Sequence, residues 1–257
     1  MNELRAAQPY DLDPGIRRDE RHPARIMKAA AFSLILALGA LPAGAQGPQA
    51  HNTLSAKEKA AGWKLLFDGR TLNGWREFKK TTVGPGWQVV DGVLTLVAPD
   101  KSDDIVTTDK YANFDLVFDW KISALGNSGV YYHVIEEGEH GYQSGPEYQL
   151  LDNAHGERPL ERAGGLFGLY APTQDVPKPV GEFNHSEIVV DHGHVQHWLN
   201  GVKVAEYQIG SPEFKARVKG TKFEHWPLFA TADTGYISLQ DHHSVVAFRN
   251  IKIKPLD

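Results

Sequence analysis

Phe114-Asp115-Leu116-Val117-Phe118-Asp119-Trp120-Lys121-Ile122 (FDLVFDWKI) puts an apolar side chain at every second position. Successive side chains of a strand point to opposite faces, so Phe114, Leu116, Phe118, Trp120 and Ile122 line one face while Asp115, Asp119 and Lys121 stand on the other. A helix would scatter those five around its axis. The segment is therefore a half-buried strand, wet on one side and packed on the other.

Working outward, the same logic recurs. Trp87 to Val90 and Val93 to Val97 flank Asp91-Gly92, and Asn200-Gly201 separates two further runs; both dipeptides favour the tight turns that join antiparallel strands. Strands are also expected at 128–134, 147–152, 165–170, 185–191, 194–199, 202–207, 236–241 and 245–253. Helices are few. Ser55-Ala56-Lys57-Glu58 is a capping box opening one short helix that ends near Gly62, and Ser211-Pro212 caps a second reaching Val218. Many strands, Gly-rich turns and no helical crossovers point to an all-β fold, an antiparallel two-sheet jelly-roll sandwich with one or two short helices.

The N-terminal part reads differently. Met27-Lys28, the apolar run Ala29 to Leu41 and the small-residue site Ala43-Gly44-Ala45 form a signal peptide at 27–45, with cleavage expected after Ala45. Residues 1–26 lack periodicity and read as a start-site artefact or disordered extension. An N-terminal segment with the short helix occupies 46–62, and 63–257 forms a single sandwich domain. The expected location is periplasmic or secreted, without a membrane span. A net charge of −5 with no basic block disfavours nucleic acid as a partner. With no Cys in the chain, the core has to hold without disulfides.

Residues able to carry chemistry gather in three places. Tyr131 and His133 share a face if 128–134 is a regular strand, as do Glu147 and Gln149 on the next one; pairing the two would assemble a base, a carboxylate, an amide and a ring. A solvated polar edge would produce the same pattern. His192, His194 and His197 invite a metal reading, but Asp191 to His194 fits a hairpin turn that sends the three rings apart. Gln240-Asp241-His242-His243 ends a strand, where an oriented His could serve as base or ligand, or simply face solvent. Glu182, at a turn entering a strand, is open to the same two readings. No G-x-S-x-G elbow, Walker loop, H-E-x-x-H or dinucleotide fingerprint is present, which argues against the enzyme classes built on them.

Several segments together resemble one family. Leu65-Leu66-Phe67-Asp68-Gly69 with Leu72 and Gly74-Trp75, Asn127-Ser128-Gly129, Glu147-Tyr148-Gln149-Leu150-Leu151-Asp152, His197-Trp198-Leu199-Asn200-Gly201, Ile237 to His242 and Phe248-Arg249-Asn250-Ile251 are similar, in this order, to the 3-keto-disaccharide hydrolase domain family. The match runs from about Trp63 to Leu256. His133, where the family often has Arg, and His243, where it commonly has Gly, are departures.

The resemblance implies a concanavalin A-like sandwich of the lectin and glucanase type, acting on 3-keto-glycosides that a separate dehydrogenase has oxidised. A C3 carbonyl acidifies the C2 proton, so the site needs a base at C2, a donor at the enolate oxygen and an acid for the leaving oxygen. The catalytic candidates are Glu147, His133 and His242. Asn127, Tyr131, Gln149, Asp152, Glu182, Trp198, Gln240 and Arg249 are the candidates for substrate binding, Tyr131 and Trp198 by stacking. No cofactor signature is present; a divalent metal ion held by Glu147, His133 and His242 is the one cofactor left open. An ordinary β-glucan hydrolase and a non-catalytic carbohydrate-binding module are the alternatives. The first is weakened because Gln149 stands where the laminarinase-type E-x-D-x-x-E strand needs a carboxylate.

Overall fold

The computed structural model describes residues 51–99, 101–155 and 158–257. The expected extension, signal peptide and first residues of the 46–62 segment lie outside them. The strands in chain order are β1 (Lys64–Leu65), β2 (Trp75–Glu77), β3 (Trp87–Val90), β4 (Val93–Leu96), β5 (Ile105–Thr107), β6 (Phe114–Ile122), β7 (Asn127–Val134), β8 (Glu147–Leu151), β9 (Asn184–Asp191), β10 (His194–Leu199), β11 (Val202–Gln208), β12 (Tyr236–Leu239) and β13 (Val246–Pro255). They form two antiparallel sheets. The larger runs β11-β10-β9-β6-β13-β4-β3, with β1 also on β13, and the smaller runs β2-β5-β12-β7-β8.

β6 alternates between buried and half-buried positions along its whole length, as its sequence requires. Its apolar face meets the inward face of the smaller sheet, where Val130, Tyr132, Tyr148, Leu150 and Ile237 join the same core. The expected hairpins form with Asp91-Gly92, His192-Gly193 and Asn200-Gly201 at positive φ, the backbone geometry that fits a two-residue turn to the strand twist. Both helices are present, α1 (Ala56–Ala60) with a complete capping box from Ser55 and α2 (Pro212–Val218) with Ser211 as cap.

A polar network crosses the core between the sheets. The Tyr148 hydroxyl lies 2.8 Å from Ser186 Oγ, which also accepts from Trp120 Nε1 at 2.8 Å. His197 Nδ1 donates to the Gly164 carbonyl at 3.0 Å, and its Nε2 lies 3.1 Å from the Tyr207 hydroxyl, which in turn meets that of Tyr132. Burial pushes the His197 pKa down to about 4, so the ring is a neutral strut. The metal reading of the three histidines fails here: His192 pairs with Asp191 and His194 with Glu206, both exposed, while His197 is enclosed.

Three expectations need correction. Residues 165–170 form turns with isolated bridges at Leu166 and Tyr170, because Gly164 and Gly168 take positive φ and break the extended path. β1, β2 and β5 are strands that the pattern reading passed over; at two or three residues they are too short to show a period. Most consequentially, β7 is not regular. Between the pairs Tyr131↔Ser238 and Val134↔Tyr236 it carries one residue more than β12, and His133 sits at φ 54°. The bulge reverses the alternation, so His133 does not share the face of Tyr131.

Candidate functional site

The outward face of the smaller sheet carries a cavity of about 290 Å³. Its floor comes from β7, β8 and the residue after β12: Asn127, Tyr131, Glu147, Gln149 and Gln240. Antiparallel pairing sets Tyr131 opposite Glu147 and Gly129 opposite Gln149. Gly129 explains how a carboxylate can lie down on a sheet at this point: a Cβ there would stand 2.3 Å from Glu147 Oε1. The missing side chain leaves the berth that the carboxylate occupies.

The charge balance follows from this enclosure. Burial lifts the Glu147 pKa to about 8 against the opposing attraction of Lys222, with the Asp104 charge adding to the rise and the Tyr131 hydroxyl bond lowering it. Tyr131, buried and beside two carboxyls, is held well above the usual phenol range and stays a neutral donor. Its oxygen accepts from Gln240 Nε2 at 2.5 Å. Gln149 donates to Asn127 Oδ1 at 3.1 Å. The side-chain carbonyl oxygens of Gln149 and Gln240 are buried and lack a hydrogen-bond partner among the described residues, an arrangement costly enough to suggest that a ligand or water supplies the donors.

The walls were not foreseen from the sequence. The 3-10 turn Lys222–His225 and the residue after it bring Lys222 and Trp226, and the turns after Gly165 bring Phe167. Lys222 Nζ stands 4.5 Å over the Phe167 ring and 5.3 Å over Trp226. The segment is held from below by a ladder of rings: Tyr170 stacks on Tyr207, and Phe214 and Phe223 stack on Phe229. Tyr142 closes the opposite wall against Trp226, 5.2 Å between centroids. The signal for this wall was present as aromatic density between 214 and 229, but no short-range period ties such a loop to a strand twenty residues and more away.

Of the sequence candidates, Asn127, Tyr131, Glu147, Gln149, Gln240 and His242 converge on the cavity. The others do not. His133 turns its ring toward Phe114 and Tyr132 and bonds the Ala112 carbonyl through Nε2 at 2.7 Å. Trp198 lies on the outer face of the larger sheet, bonded to Gln196. Arg249 is on that face too, 3.3 Å from Asp119 and over the Phe183 ring. Asp152 and Glu182 border a separate cavity at one end of the sandwich, where Asp152 accepts the Leu125 and Ala154 amides. The metal set of Glu147, His133 and His242 therefore does not assemble, and among the described residues no three His, Cys, Asp or Glu side chains are placed to hold an ion together.

The chain has clear relatives. The sequence profile of the 3-keto-alpha-glucoside-1,2-lyase-like domain matches residues 62–254. A 3-keto-disaccharide hydrolase of Bacteroides thetaiotaomicron is 31% identical over 239 residues, covering 80% of this chain and 82% of that one. A crystal structure from Parabacteroides distasonis, of a protein provisionally called a glycosyl hydrolase, superposes with a TM-score of 0.75 at 40% identity, covering 81% of this chain and 100% of that one. A second from the same organism, also provisionally called a glycosyl hydrolase, gives 0.61 at 30% identity over 76% of this chain and 99% of that one.

Proposed function

Because the chain belongs to the 3-keto-alpha-glucoside-1,2-lyase-like family and is a glycoside-cleaving enzyme, we propose that it cleaves 3-keto-glycosides, with Glu147 as the base that removes the C2 proton. The observation carrying this reading is a carboxyl lodged over Gly129 on a polar floor, its pKa raised to about 8 by burial. A desolvated carboxylate is a stronger base than one in water, which suits a carbon acid beside a ketone.

The steps balance without an oxidant. Glu147 takes the C2 hydrogen as a proton, and the electron pair forms an enolate on the C3 oxygen, near Lys222 or the neutral Tyr131 hydroxyl. The C3 carbonyl re-forms, the pair moves into a C1–C2 double bond, and the C1–O bond breaks. His242, at the cavity rim, protonates the departing oxygen. Water then adds its hydroxyl to C1 and gives its other proton back to His242, while the proton held by Glu147 returns to C2, so the sum is hydrolysis. Asn127, Gln149 and Gln240 meet sugar hydroxyls, and Trp226 with Phe167 offers the ring faces that Trp198, on the other sheet, does not.

The finer context belongs to the same proposal. A separate dehydrogenase supplies the keto-sugar, and the signal-like segment at 27–45 directs the chain to the periplasm or outside the cell. Among the described residues no helix is long and apolar enough to cross a membrane. Incubating the protein with 3-keto-trehalose and with unoxidised trehalose tests the reaction. Release of glucose from the keto form alone is expected, with Glu147→Gln slower by at least about 10²-fold; release from trehalose itself would sink the proposal.

A further inference from the structure

The keto-sugar chemistry uses one cavity, but the trough does not end there. A second lobe of about 660 Å³ adjoins the first, and Tyr142, Gln240 and His242 border both. If the oxidised ring lies on the Glu147 floor, its C1–O bond reaches this shared rim and the departing group enters the second lobe. One wall is aromatic: the His140 ring stacks on Tyr142, 4.9 Å between centroids and 11° from parallel. Asp103, Asp104 and Glu139 provide carboxyl oxygens nearby, with Lys79 beside them. Asp103 is already bridged by Lys80 at 2.6 Å, and Asp104 accepts the Asp241 amide at 2.9 Å, so these groups are held in place before any ligand arrives.

The junction is shared by both lobes. Gln240 is only 8% exposed and gives a side-chain amide hydrogen to Tyr131, while its side-chain carbonyl oxygen has no partner among the described residues. A buried acceptor left in that state calls for a donor from a bound molecule or water.

We propose that the second lobe receives the leaving half of the substrate and selects a pyranose ring carrying several free hydroxyl groups, a proposal that rests on the keto-sugar reading of the first lobe. Carboxyl and amide oxygens pair with hydroxyl donors, and the flat His140–Tyr142 wall matches the C–H face of a sugar ring. An alkyl leaving group would occupy the same space and leave those oxygens unpaired, which is the condition under which a polar site discriminates most. Burial, countered by the Asp241 amide and reinforced by the Asp241 and Asp103 charges, lifts the Asp104 pKa to about 7, so this carboxyl can donate as well as accept near neutrality.

Two measurements test this. The first compares kcat/KM for 3-keto-trehalose with that for methyl 3-keto-glucoside in the wild type, His140→Ala and Asp104→Asn. The disaccharide preference should fall about tenfold in each variant, the loss of roughly one sugar contact. A preference unchanged in both overturns the proposal even if turnover by the wild type is brisk. The second is calorimetric titration with D-glucose, which does not depend on keto chemistry. Saturable binding weakened about tenfold in both variants is expected. Absence of binding to the wild type, or equal binding by all three proteins, overturns it. Glucose binding of the expected kind with neither keto substrate consumed would support the second lobe as a sugar site while defeating the reaction assigned to Glu147.

Discussion

Glu147 and Gly129 show how much one position can depend on another with seventeen residues between them in sequence. The glycine of Asn127-Ser128-Gly129 carried no role in the sequence beyond its place in a family-like motif; it serves as the berth of the carboxylate, which only the pairing of β7 with β8 reveals. Gly129→Ala should lower kcat by about 10²-fold through displacement of the base, with circular dichroism unchanged; wild-type kcat in that variant would show that the berth is not needed. The pH dependence has a defined sign. A base with a pKa of about 8 is protonated and idle in acid, so kcat/KM should climb as pH rises through 8. Stability runs the other way, because a carboxyl raised from 4.5 to about 8 on folding favours the native state fully below 4.5 and loses that contribution as pH rises through 8. Glu147→Gln, which mimics the protonated form, should therefore be more resistant to urea than the wild type by on the order of a few kcal/mol at pH 9, with the gain gone near pH 4. Equal stability at both pH values would contradict the enclosure of this group.

At the scale of elements, alternation made the long strands legible and irregularity hid the rest. β6 announces itself because five large apolar side chains occur at strict period two. β7 reads as equally regular in NSGVYYHV, yet one extra residue at Tyr132 and His133 turns the histidine away from the floor. Nothing in the composition of that stretch marks the bulge, which only the register against β12 defines. Leu166 to Tyr170 misleads in the opposite sense: the residues are apolar, but Gly164 and Gly168 bend the chain into turns that present Phe167 to the cavity. The Lys222–His225 turn could not be placed from its sequence either, because the aromatic ladder beneath it joins four separate segments. Phe229, stacked on Phe223 at 4.5 Å and on Phe214 at 6.4 Å, is the rung beneath Phe223, which itself lines the cavity. Phe229→Ala should cost about 3 kcal/mol in urea unfolding and raise KM more than it lowers kcat, because Lys222 and Trp226 lose their footing while Glu147 does not. A change confined to kcat would count against that division of labour.

Over the whole molecule, the sandwich separates residues that the sequence made look equivalent. Motif residues on the smaller sheet reach one outward-facing trough, while His197 serves the core network and Trp198 and Arg249 belong to the far face of the larger sheet. A motif can thus be shared for the fold as well as for the chemistry, and only the sheet assignment tells the two apart. What unites the trough is a half-buried carboxyl beside a lysine and a neutral phenol, and its proposed task is to break a carbon–hydrogen bond. Methyl 3-keto-glucoside carrying deuterium at C2 addresses that task most directly. Slower turnover than the unlabelled sugar, with turnover itself lost in Glu147→Gln, is the predicted result; equal rates for the two sugars would contradict it.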